Sequence, residues 1–144
     1  MAEVALLVDT DVLVDFFRGS TSATKWLSEH CDDTIGVPVI VLMELLQGAR
    51  SPSEQQTIRE RLSPFWIQHL EDGDSQRALD WFSAYRLTHG TGIMDCLIAT
   101  AAARLKVPLF TFNARHFAPI PDLDVRQPYQ RPLAADQKTG PNGE

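Results

Sequence analysis

Val4-Ala5-Leu6-Leu7-Val8-Asp9-Thr10-Asp11-Val12-Leu13-Val14-Asp15-Phe16-Phe17 is the stretch on which the fold turns. Its first five residues are continuously apolar, the pattern of a strand buried on both faces, as in a parallel sheet. Asp9 ends the run. Thr10 and Asp11 are good helix N-cap types, and Val12, Leu13, Phe16 and Phe17 follow at helical spacing. Cap preference alone favours Asp11 as the cap of this helix, and Gly19 is its expected stop. The unit reads strand, acidic turn, helix.

The same alternation continues outward. A short helix is expected over 23–30, and a second strand from Thr34 to Val37. Pro38 suits the first turn of a helix running from Val39 to about Gly48. Ser53 is placed to cap a polar helix to about Leu62, and Phe65–Ile67 reads as a strand or a connector. An acidic turn, Glu71-Asp72-Gly73-Asp74, precedes an amphipathic helix from Ala78 to Leu87. Residues 93–105 read as an Ala-rich helix, Val107–Phe112 as a strand, and Leu123–Val125 as a further short strand. Strands alternating with helices imply an α/β fold with a mostly parallel central sheet between two helical layers. In such sheets ligands bind beyond the carboxyl ends of the strands. Asp9 and Asn113 each follow an apolar strand, so both belong on that rim.

The chain has 144 residues, enough for one domain with its own core. We assign that domain to 1–127. From Pro128 to Glu144 the chain is polar, Pro/Gly-containing and aperiodic, the composition of a flexible tail. Cys31 and Cys96 have neither Cys-x-x-Cys nor zinc spacing and read as reduced thiols, which suits the cytoplasm. No basic segment precedes the first apolar run, and Asp9, Asp11 and Asp15 interrupt it. It does not read as a secretory leader, and no window is long and apolar enough to span a membrane. The formal net charge is −6, with no Lys/Arg run. A nucleic-acid substrate would therefore need other cations near the site to offset phosphate repulsion.

Three carboxylates stand in apolar surroundings: Asp9 after its strand, Glu44 in Val-Ile-Val-Leu-Met-Glu-Leu-Leu, and Asp95 in Ile-Met-Asp-Cys-Leu-Ile-Ala. Any one alone is readily explained by a cap or an arginine partner. Together they share a position, at or near the start of a helix after a strand or turn, and such positions converge on one rim. Converging carboxylates repel unless a cation lies between them. Oxygen-only ligands select hard ions, here Mg2+ with Mn2+ as a substitute, rather than zinc. Such ions support phosphoryl chemistry by polarising the phosphate and activating water.

These residues resemble a known family. Val8-Asp9-Thr10-Asp11 after a strand, Glu44-Leu-Leu-Gln-Gly48 in a helix, Asp95-x-x-Ile98-Ala99-x-x-Ala102 and Thr111-x-Asn113-x-x-His116-Phe117 recur in this order in PIN-domain ribonucleases. Length and spacing are similar to the VapC-type toxins of type II toxin–antitoxin systems, over about residues 4 to 120. The resemblance implies a Mg2+-dependent endoribonuclease that leaves a 5′-phosphate. It also implies a homodimer and a small VapB-like antitoxin whose C-terminal segment blocks the site. It makes Asp9, Glu44 and Asp95 the catalytic metal ligands, with Thr10, Asp11, Thr111 and Asn113 as candidate accessory residues. Asn113 stands where many PIN nucleases carry a fourth acid, and Asp11 where the family more often has Asn or Ser.

Two other classes share part of the pattern. Asp9-Thr-Asp11 also opens haloacid-dehalogenase-type phosphatases, but Val12-Leu13 replaces their usual Gly-Thr and their downstream Lys and acidic motif are missing. A PIN-fold module that binds RNA or a partner with a weakened site is the second, and Asn113 leaves it open. Arg18, Arg50, Arg86, Arg115 and His116 are candidate phosphate contacts, although solvated or salt-bridged side chains are the default for each. Trp26, Trp66, Trp81, Phe82 and Tyr85 read as core or interface.

Overall fold

The computed structural model of the chain describes residues 3–131. In chain order the elements are β1 (Leu6–Val8), α1 (Thr10–Phe17), α2 (Thr21–Glu29), β2 (Ile35–Pro38), α3 (Val39–Gln47), α4 (Pro52–Arg61), β3 (Trp66–Gln68), α5 (Asp74–His89), α6 (Ile93–Leu105), β4 (Leu109–Phe110), α7 (Ala114–Phe117) and β5 (Val125–Arg126). The sheet order is β3-β2-β1-β4-β5, and every pairing is parallel.

The apolar runs explain the centre of the sheet. All three residues of β1 are buried, as are all four of β2 and both of β4. Helices pack over them through Val12 and Leu13 of α1, Val41 of α3 and Ile98 and Ala99 of α6, each almost fully excluded from solvent. Gly36 permits close packing within this layer. A Cβ there would lie 2.7 Å from Leu7 Cδ2 and 2.9 Å from Val4 Cγ1.

The chain steps from β1 to β2 to β3 in one direction, then returns past β1 to add β4 and β5. Right-handed crossovers put the helices of the outward and return paths on opposite faces, giving the expected three layers. The strand order switches between β1 and β4, which is where such sheets open a crevice beyond their carboxyl ends.

Several boundaries differ from the sequence expectation. Asp9, not Asp11, caps α1: its side chain accepts from the Thr10 amide. Ser51 rather than Ser53 caps α4, because Pro52 takes the first helical position. Helix α5 begins at Asp74, four residues early, after a left-handed Gly73. The Asp74 carboxylate turns inward to the Glu71 amide and to Arg104. Only Leu109–Phe110 of the expected 107–112 strand is regular, and α7 follows where no helix was expected. Residues 128–131, assigned to the flexible tail, instead lie against α1: Tyr129 and Arg131 both bond Asp15. The rest of that segment, 132–144, lies outside the described residues.

Candidate active site

Each acid reaches the switch-point crevice by a different local device. Asp9 sits at the end of a buried strand and is itself buried, at 6% exposure. Its Oδ1 accepts from the Thr10 amide at 2.8 Å, and its Oδ2 from the Thr111 hydroxyl at 2.8 Å. Burial pushes its pKa up to about 6, and the neighbouring Asp11 charge adds to the rise. The Thr111 and Thr10 hydrogen bonds pull the other way.

Glu44 lies on α3, and its Oε1 accepts from the Thr10 hydroxyl at 2.7 Å. Thr10 therefore serves two acids at once, Asp9 through its amide and Glu44 through its side chain. Asp95 stands in the first turn of α6, where the positive end of the helix favours an anion. Burial still raises its pKa. His116, 3.5 Å away, opposes that rise, and the Glu44 charge adds to it.

Asp11 departs from the capping role. From the first turn of α1 its Oδ2 crosses to the loop after β4, accepting from the Phe112 amide at 3.0 Å and the Asn113 side-chain amide at 3.1 Å. The Thr111 hydroxyl lies 3.3 Å from the same oxygen. Its Oδ1 is buried with no hydrogen-bond partner among the described residues. Burial raises the Asp11 pKa, while the Phe112 amide and Arg131 oppose the rise. Thr111 is fully buried and completes the crossing: it donates to Asp9 and accepts from the Asn113 amide at 3.0 Å. Asn113 is exposed, and its side chain acts through Asp11.

The structure brings Asp9, Thr10, Asp11, Glu44, Asp95 and Asn113 together as the lining of one open cleft of about 350 Å3. Arg18, Asp15 and Arg131 complete its wall. Of the candidate phosphate contacts, Arg18 lies in this cleft. Arg50 lies in an adjoining groove between α1, α3 and α4 that also reaches Thr10 and Glu44. Arg86 is committed to the carbonyls of Gly90 and Thr91. His116 faces Asp95. The sequence reading missed Arg131, because nothing in an aperiodic Pro-containing segment signals where its side chains go.

A structural carboxylate in this fold looks different. Burial works against the charge on Asp74, but the Arg104 guanidinium grips it at 3.0 and 3.2 Å and holds its pKa below the usual range. Asp9 has no such cation among the described residues. The cleft thus concentrates negative charge with oxygen donors only, and it leaves the buried Asp11 Oδ1 unmatched. Among the described residues no group of three or more His, Cys, Asp or Glu side chains is arranged to hold an ion directly. The carboxylate oxygens lining the cleft and the unpartnered Asp11 Oδ1 fit a hard divalent cation by their chemistry.

Fold and cleft together define an α/β domain of the acid-site kind, with its carboxylates gathered where the strand order reverses. The chain belongs to the PIN domain family, whose model matches residues 6–122. It is 34% identical over 114 residues to Ribonuclease VapC10 of Mycobacterium tuberculosis, covering 78% of this chain and 85% of that protein. It is also 34% identical over 126 residues to Ribonuclease VapC19 of the same organism, covering 81% and 95%. Among solved structures, a toxin-antitoxin complex from Klebsiella pneumoniae superposes with a TM-score of 0.70 at 29% identity, over 88% of this chain and 100% of that one.

Proposed function

We propose that this chain is a divalent-metal-dependent endoribonuclease, the toxin of a VapBC-type pair, acting in the cytoplasm as a homodimer and restrained by a cognate VapB-like antitoxin. The carrying observation is the convergence of Asp9, Asp11, Glu44 and Asp95 on one cleft at the switch point of the sheet. The VapC relatives named above support the RNA substrate, and the Klebsiella complex supports the antitoxin.

Asp9, Glu44 and Asp95 would hold Mg2+, or Mn2+ in its place, and when bound the ion supplies Lewis-acid polarisation of the phosphate and an activated water. The protein's own part is orientation. Thr111 and the Thr10 amide fix both oxygens of Asp9, the Thr10 hydroxyl fixes Glu44, and the helix start favours a charged Asp95. Asp11 ties the Asp9 loop to the Thr111–Asn113 loop, so the two sides of the cleft keep one spacing.

Purified chain, free of antitoxin, is expected to cut RNA in Mg2+ or Mn2+ and to stop in EDTA. Asp9→Asn, Glu44→Gln and Asp95→Asn should each abolish cleavage, with losses that do not add, because the acids act as a unit. Undiminished cleavage by Asp9→Asn, with contaminating nuclease excluded, would overturn the assignment.

A further inference from the structure

We propose that Arg131 is a positioning residue for the RNA backbone, held beside the acid cleft to receive a phosphate next to the one being cut. This rests on the ribonuclease reading above.

Arg131 is held by several contacts at once. Its Nε lies 3.1 Å from Asp15 Oδ2 and its Nη2 3.3 Å from Asp15 Oδ1, the two-pronged geometry that only a guanidinium offers a carboxylate. Nη2 also approaches the Asp11 carbonyl at 3.5 Å. Phe112 supports the guanidinium plane, with its ring centroid 3.9 Å from Arg131 Cζ. Tyr129 seats the strap in turn: its hydroxyl donates to Asp15 at 2.8 Å, and its ring meets Phe112 edge-on at 5.0 Å. Edge and face of the guanidinium are therefore both fixed.

A salt bridge serving only to hold the strap would not need this arrangement, since Tyr129 already bonds Asp15. Nη1 has no partner among the described residues, the side chain is 37% exposed, and Arg131 lines the same cleft as Asp9, Glu44 and Asp95. The chain carries a net charge of −6, and the cleft itself is acidic, so an approaching polyanion needs fixed positive charge close by. Arg131 and Arg18 are the cations in the cleft wall, and Asp15 of the same wall balances one charge while leaving Nη1 of Arg131 without a partner among the described residues. Arg18 is exposed, whereas Arg131 is pre-oriented, which lowers the entropy lost on contact. Phe112 belongs to the loop that carries Thr111 and Asn113. The guanidinium and the acids are thus registered to one another through a single turn.

The test compares full-length wild type, Arg131→Ala, Arg131→Lys and Tyr129→Phe. Two readouts are used: cleavage of an RNA stem-loop in Mg2+, and anisotropy binding of the fluorescein-labelled RNA in EDTA. Arg131→Ala should raise KM and Kd roughly tenfold or more while kcat changes little, the loss of one charge-assisted contact. The slope of log affinity against log salt should fall by about one, the signature of one lost phosphate contact. Arg131→Lys should keep the salt slope and recover part of the affinity. Tyr129→Phe weakens the strap but keeps the charge, so its salt slope should stay at the wild-type value. Equal effects of Arg131→Ala and Tyr129→Phe on that slope would reduce Arg131 to an anchor and overturn the proposal. So would an unchanged KM in Arg131→Ala, or faster cleavage, which would make Arg131 an internal brake. Wild type that neither cuts nor binds RNA would instead sink the ribonuclease reading itself.

Discussion

Asp9 has two hydrogen-bond donors and no compensating cation among the described residues, and its pKa of about 6 carries a definite sign for stability. Below about pH 4 it is protonated in the folded and unfolded chains alike, and its burial is fully tolerated. As pH rises toward and through 6, the unfolded chain ionises first, and the metal-free native state loses stability. A displacement of that size is worth on the order of 3 kcal/mol. Asp9→Asn is therefore expected to stabilise the metal-free protein at neutral pH, by about 1–2 kcal/mol once the weaker amide hydrogen bonds are counted, or very roughly 3–10 °C in Tm. The wild type should also melt higher at pH 5 than at pH 7 in EDTA, a difference the variant should largely lose. If Asp9→Asn melts below wild type in EDTA, Asp9 is a structural carboxylate of the Asp74 kind. A divalent ion at ten times its dissociation constant should return about 1.4 kcal/mol to the wild type and little to the variant.

Helix α6 is where local structure sets the chemistry most directly. Gly92 precedes it with ordinary extended backbone, so alanine is conformationally acceptable there. A Cβ at Gly92 would nevertheless sit 3.3 Å from Asp95 Oδ2 and 3.9 Å from its Cγ, so the carboxylate oxygen would have to give by a few tenths of an ångström. Gly92→Ala should thus leave Tm within about 1 kcal/mol of stability while slowing cleavage about tenfold or more, as misplaced catalytic groups do. Melting and single-turnover cleavage on the same preparation check this, and an unchanged rate would show that Asp95 tolerates displacement. The elements with strong apolar pattern were legible in the sequence: β1, β2, α3 and α6 lie within a residue or two of expectation. Long-range side-chain choices were not. Asp11 is a good capping type, but Asp9 takes the cap and Asp11 spends its oxygen on Phe112 and Asn113, a hundred residues away. No local preference encodes that. The three acids were legible because an apolar run makes a carboxylate conspicuous. Arg131 was not, because a cation in a polar segment is ordinary.

Across the whole molecule, exposed apolar surface is unevenly distributed. Of the apolar residues 39–46, Ile40, Val41, Leu42 and Leu45 are buried in the core and only Met43 is well exposed, whereas Trp81, read as core or interface, lies on α5. Four of the seven exposed large apolar side chains among the described residues, Leu79, Leu87, Ile93 and Met94, lie on α5 and the start of α6, with Leu87 97% exposed. A twofold dimer through this face is the expected state. Light scattering at micromolar concentration should report a dimer that Leu87→Glu with Ile93→Glu converts to monomer, and a wild-type monomer would exclude it. No helix of the described residues is long and apolar enough to cross a membrane. The tie between Asp9 and Thr111 also bears on the timing of synthesis. These partners are 102 positions apart, and β1 gains its β4 neighbour only through residues 109–110. A ribosome adding about 5–20 residues per second therefore exposes Asp9 for roughly 5–20 s before its partner exists. During that interval the nascent chain has no assembled cleft, so the site is complete only once nearly the whole domain has been made.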